Sequence, residues 1–194
     1  PFARACSEDM LVTYRPAAEL LPTIHSCGLP ADALLKRHAN SGAYADCYVA
    51  EIAATVSHAD FVEAFYTMAV FKLERLILRL LVSFPSTDAE ARQLAHGERD
   101  SFAAWSVEAR ATDQLLLSDF RGRTKSWLMV ASPGTGAPGT RLYFGSAVVP
   151  VRNAGRGRTG LGFVFTALLG FHKLYSRILL RSAISRLSRQ RAGS

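Results

Sequence analysis

The spacing of apolar and polar positions changes along the chain, marking out an arm, a helical stretch, a meander and a final helix. Residues 1 to 42 show no sustained period, and Pro16, Pro22 and Pro30 interrupt them. Only ADALLKRH offers a helical turn or two there, so the segment reads as an arm laid across the domain. YADCYVAEIA, residues 44 to 53, partly alternates and is rich in aromatic and β-branched side chains, which predicts a first strand. Ser57 followed by Asp60 is a helix-start signal, and HADFVEAFYT is the short helix it opens. Further on, Val70, Leu73, Leu76, Ile77, Leu80 and Leu81 share one helical face, with Lys72, Arg75 and Arg79 opposite, until Pro85. Thr87 and Glu90 then have the spacing of a capping box for another short helix that stops near Gly97.

After Gly97 the period shortens. FAAWSVEAR, DQLLLSDFR, TKSWLMVA and TRLYFGSAVVPV are strand-like runs joined by turn signals, bringing the strands to five. From Leu161 to about Leu187 runs a long helix, apolar nearly all round at first and then amphipathic. Strands grouped together and helices segregated from them predict an α+β fold. An antiparallel sheet with one apolar face needs a cover, and the last helix is the element long enough to supply it. Gly145, inside the last strand, predicts a bulge or a close approach of that helix.

Composition narrows the class. The 194 residues suit one domain, with residues 1–42 as the arm, 43–188 as the folded unit and 189–194 as a basic tail. A hydrophobic content of 49% supplies one core, and 20% charged residues argue against global disorder. Cys6, Cys27 and Cys47 are odd in number and lack C-x-x-C spacing, so they read as free thiols of a reducing compartment. PFARACSEDM lacks the basic-then-apolar layout of a secretory leader, and a cytoplasmic location is expected. The most apolar run, LGFVFTALLGF, would rise about 16 Å as a helix, roughly half a hydrocarbon core, before His172 and Lys173 interrupt it. It is no transmembrane span.

Charge is divided unevenly. The first 119 residues hold ten Lys/Arg against all sixteen Asp/Glu, a net of −6; the last 75 hold thirteen Lys/Arg and no acid, a net of +13. Either the two halves meet on the folded surface, or the basic end faces an anionic surface or an acidic partner. Lys173, Arg177 and Arg181 form an i, i+4, i+8 stripe suited to peripheral contact with anionic lipid. Nucleic acid fits less well, because no aromatics interleave with the stripe.

The strand DFRGRTKSWLMV carries Gly122-Arg123 and Trp127, the next carries Gly139-Thr140-Arg141-Leu142, and the helix carries Phe171-His172-Lys173. In this order the three resemble an uncharacterised bacterial branch of the START/Bet v 1-like superfamily, over roughly residues 102 to 187. The resemblance implies a helix-grip architecture of six or seven strands wrapped on the C-terminal helix, with two or three helices inserted after the first strand. It also implies a cavity between sheet and helix that takes an apolar or aromatic small molecule, and no particular reaction. Cyclase-like acid/base chemistry is the enzymatic alternative.

Gly155-x-Gly157-x-x-Gly160 spells a dinucleotide fingerprint, but no second strand and no acid follow it, so dinucleotide binding is not expected. No cofactor is implied. Arg156 and Arg158 precede a helix start and keep an anion contact open. His172 shares a helical face with Phe165, Leu168, Tyr175 and Leu179. It is either a packed core histidine or, with Tyr175, a polar anchor in the cavity; metal ligation is not expected, since no other histidine stands at ligand spacing. Trp127 and Tyr143 are candidate lining residues from the strands, with core packing as the alternative. Asp119 either points inward with Leu115 and Leu117, or Leu116, Ser118 and Phe120 line the cavity and Asp119 stands solvated near its hairpin beside Arg121 and Arg123. The cost of burying a lone carboxylate favours the second.

Overall fold

A computed structural model of the protein describes residues 22–68, 86–134, 136–149 and 162–192, with side chains of the last segment described from Tyr175 to Gln190. The amphipathic helix predicted from Val70 to Leu81 and the glycine-arginine stretch around Arg156 and Arg158 lie outside the described residues.

One antiparallel sheet of seven strands organises the chain: β1 (His25–Ser26), β2 (Tyr44–Ile52), β3 (Ser101–Phe102), β4 (Trp105–Ala111), β5 (Gln114–Asp119), β6 (Thr124–Ala131) and β7 (Thr140–Val148). Their spatial order is β1-β2-β7-β6-β5-β4-β3. Strands β3 to β7 are a meander; β2 pairs with β7 along its whole length, from Tyr44 opposite Val148 to Ile52 opposite Thr140. Five strands were expected. The added two, β1 and β3, have two residues each, too short to carry a period.

The described helices are α1 (Lys36–Asn40), α2 (His58–Thr67), α3 (Asp88–His96) and α4 (Gly162–Ala192). Their ends follow local chemistry. Ser57 Oγ accepts from the Asp60 amide at 3.1 Å and opens α2. Thr87 and Glu90 make the reciprocal bonds of a capping box, Glu90 N to Thr87 Oγ1 at 3.2 Å and Thr87 N to Glu90 Oε2 at 2.8 Å. Gly97, at φ +79°, closes α3 in the left-handed conformation that costs glycine little. Arg110, on β4, donates to the Leu94 carbonyl at 3.0 Å, placing a cation at the negative end of α3.

Both faces of the sheet are covered. On one, α2, α3 and α4 bury Phe61, Phe65, Tyr66, Leu94, Leu180 and Ile184 against Leu115, Leu117, Leu128, Leu142 and Phe144. On the other, the arm lays Leu35 and Ala33 over Leu116, Trp127, Met129 and Ala147. Double coverage explains the unbroken run Leu115-Leu116-Leu117, all three of them buried.

It also corrects the reading of Gly145. Strand β7 is regular there, and the close neighbour is the arm: a Cβ would lie 2.9 Å from both Leu35 Cδ2 and Trp127 Cε3. The bulge falls instead on β4, where the register shifts between Val107 and Ala109.

Candidate functional site

On the helix-covered face of the sheet, a transverse line of polar side chains crosses three neighbouring strands. Asp46 on β2 is opposite Ser146 on β7, which is opposite Ser126 on β6. Alternation puts all three on the same face as Tyr48, Phe144 and Leu128. Ser146 Oγ donates to Asp46 Oδ1 at 2.6 Å, and Ser126 Oγ shares a hydrogen bond of 3.0 Å with the hydroxyl of Tyr66 from α2. Ser126, Ser146 and Tyr66 are buried. An apolar residue would fill these places at lower desolvation cost, so each of these hydroxyls depends on its hydrogen bond. The line lies toward the end of β7 from which the chain departs for α4.

Next to Asp46 on this face is Tyr48. Burial first, then the Asp46 carboxylate, pushes its phenol up to about 12, against an opposing effect of Arg177. It is therefore a hydroxyl donor at neutral pH. The Arg177 guanidinium, from α4, stands 5.6 Å over the Tyr48 ring.

Asp46, Tyr48 and Arg177 also line a cleft of about 590 Å³ at the outer edge of β2, opposite which stand Ser26, Lys36 and Asn40. The cleft forms because β1 covers β2 only at Tyr48 and Val49, leaving the edge from Tyr44 to Asp46 open. Its floor includes Cys27 and Cys47, whose sulfurs are 3.3 Å apart.

A second polar group sits on the arm-covered face. Glu108, at the β4 bulge, receives Arg37 and His38 of α1, the latter at 2.7 Å, and Lys125 at 2.7 Å. Lys125 Nζ also donates to Ser118 Oγ at 2.9 Å. Burial alone would raise the Glu108 carboxyl, but hydrogen bonds from Lys125 and His38 outweigh it and hold the group below its ordinary range. Nearby, Gln114 Oε1 accepts from Leu34 N and Trp127 Nε1, each at 2.9 Å. These contacts fasten the arm.

The expected site residues are distributed as follows. Tyr175 packs partly buried against the helix-side core, and Leu179 is buried within it. The backbone of Phe165, Leu168, His172 and Lys173 is helical, and their side chains lie outside the described residues. Arg177 and Arg181 are exposed. Trp127 and Tyr143 belong to the opposite face, in the cluster under the arm, so they do not meet Tyr175 and Leu179. Strand parity separates them: Leu128 and Leu142 face the helices, and each neighbour in sequence must face away. The expected facing of Leu116, Ser118 and Phe120 toward the helix is overturned, since Leu115 and Leu117 enter the helix-side core, Leu116 lies under the arm and Phe120 is exposed. Asp119 shares the parity of Leu115 and Leu117, yet its carboxylate takes the Arg123 and Thr124 amides at 2.7 and 3.1 Å and caps the hairpin. Asp46, Ser146, Ser126 and Tyr66 are not marked in the sequence, where a serine in a strand carries no signal until its neighbours across the sheet are known.

Among the described residues no three or more His, Cys, Asp or Glu side chains converge as a metal site, and no described helix is long and apolar enough to cross a membrane. The class defined is an α+β protein: a seven-stranded antiparallel sheet with a C-terminal helix. No family model, curated protein or solved structure matches the chain.

Proposed function

We propose that the protein is a helix-grip, START/Bet v 1-like binding protein for a small amphipathic molecule, with an apolar or aromatic body and a polar or anionic group. The supporting observation is the cleft of about 590 Å³, which joins the buried polar row through Asp46 and Tyr48. Its volume falls in the usual range of small-molecule pockets, roughly 300–1,000 Å³. Arg177, seated over the Tyr48 ring, offers a cation on one wall, while Leu29, Ala39 and Ala45 supply apolar surface. The order of elements also supports the assignment: a strand, helices, a meander that returns beside that strand, then a long helix. The site reaches the C-terminal helix at Arg177, one turn after His172 and Lys173, so the expected anchors and the cleft belong to consecutive stretches of one helix.

Titration with 8-anilinonaphthalene-1-sulfonate, an aromatic probe with one anionic group, tests the reading. Saturable one-to-one binding is expected, weakened about tenfold by Arg177→Glu, which is roughly 1.4 kcal/mol. Ser26→Trp, which places bulk at the cleft, should weaken it as well. Affinity unchanged in both folded variants would overturn the proposal.

A second reading rests on α4. Arg177, Arg181 and Arg189 are all exposed, and no acid stands anywhere on this helix. Docking on an anionic surface would then use the outer face of α4, and co-flotation with anionic vesicles that disappears at high salt would favour it.

A further inference from the structure

We propose that Cys27 and Cys47 are a reversible dithiol–disulfide pair, oxidised through the cleft by a low-molecular-weight disulfide of the glutathione class. The proposal does not depend on the ligand reading. The two thiols stand 3.3 Å apart and are free. Backbone register brings them together: His25 is opposite Val49 and Ser26 opposite Tyr48, and the next step places Cys27 opposite Cys47. The Cys27 amide completes this step by donating to the Cys47 carbonyl at 3.0 Å. Directly opposed residues of antiparallel strands have Cα atoms roughly 4.5–5.5 Å apart. A disulfide accepts roughly 4.4–6.8 Å, so the register and the sulfur separation suit the bond.

Access and burial divide the roles. Cys27 is half-buried and Cys47 is buried, and both line the cleft. Burial, and then the hydrogen bond with Cys27, pushes the Cys47 thiol up, so Cys47 rests protonated. Cys27 is accordingly the attacking thiol. Its thiolate displaces one thiolate from the small disulfide, leaving a mixed disulfide on Cys27. Cys47 then gives its proton to solvent and attacks the Cys27 sulfur, releasing the second small thiolate. In net terms, two protein thiols and one small disulfide become one protein disulfide and two small thiols. The oxidised form ties residues 27 to 47 into a ring that contains α1, so it would hold the arm on β2.

Oxidised glutathione at neutral pH is the probe. In a Cys6→Ser background, both remaining thiols should be lost to titration and the protein mass should fall by two hydrogens. A peptide map of the oxidised wild type should join Cys27 to Cys47, and dithiothreitol should reverse the change. Cys47→Ser should stop at a glutathione adduct on Cys27. A crosslink through Cys6, an adduct that persists on Cys27 in the wild type, or thiols that react only after unfolding would each overturn the pairing. The wild-type map requires no variant to fold.

Discussion

His58 enters the fold uncharged. Burial is the main cause that lowers its pKa to about 4, against the opposing influence of Asp113 and of a hydrogen bond with the Leu128 backbone. Its Nε2 is buried with no hydrogen-bond partner, so a proton there would find no acceptor. In the unfolded chain the imidazole takes its proton near pH 6.5. Between about pH 6.5 and 4 the unfolded state therefore binds more protons than the folded one, and stability falls as the pH falls through that window. The full effect is at most about 3 kcal/mol. Denaturation midpoints at pH 7 and pH 4.5 should separate clearly in the wild type and less in His58→Gln. Equal slopes in the two proteins would show that another group carries the acid sensitivity. In the sequence this histidine was one letter of the helix HADFVEAFYT, because its burial depends on strands that arrive much later in the chain.

At the scale of elements, the Glu108 cluster shows what a short helix needs. Five residues cannot hold a helix by themselves, so α1 depends on tertiary contacts. Glu108 supplies them through Arg37 and His38 and also neutralises Lys125, whose side chain is 7% exposed. Glu108→Gln would leave that ammonium nearly buried beside a neutral amide. The expected cost is about 2 kcal/mol, less than the roughly 3–5 kcal/mol of a fully buried pair, because Glu108 keeps 24% exposure. Since the Glu108 carboxyl is held low, its contribution is complete above the ordinary carboxylate range and fades as pH falls through the depressed value. Urea denaturation at pH 7 measures the cost, and Glu108→Gln with Lys125→Met should recover part of it. Elements whose signals are local were legible in the sequence: α2 spans the run HADFVEAFYT, and β6 spans TKSWLMVA. Caps, turns and alternation act within a few residues. Neither α1's anchor nor the β4 bulge has that property, since Glu108 lies about seventy residues from the helix it fastens.

At the scale of the molecule, the chain is built in three layers: helices, sheet and arm. A sheet with one covered face was expected, and from that premise the strand residues 113 to 121 had to choose between two facings. The three consecutive leucines of β5 do not choose, because the arm covers one face and the helices the other. Strand parity puts Trp127 and Tyr143 under that third layer, away from Tyr175 and Leu179, and the arm fills the space above Gly145. An arm of mixed composition carries no periodic signal of where it will lie; its placement is written in partners such as Gln114, which are visible only in three dimensions. Gln114 is buried, and besides receiving Leu34 N and Trp127 Nε1 it donates to the Asp32 carbonyl at 3.3 Å. Removing it by Gln114→Ala orphans two donors and frees the carbonyl, at about 1–3 kcal/mol for each buried group left unsatisfied. The helix-side core does not touch these groups, so the loss should fall on the arm layer alone and let it open before the sheet unfolds. In a Trp105→Phe background, where Trp127 is the remaining tryptophan, its emission should shift to the red at lower denaturant than the loss of far-ultraviolet dichroism. Coincident transitions in that variant would show instead that arm, sheet and helices unfold as one cooperative unit.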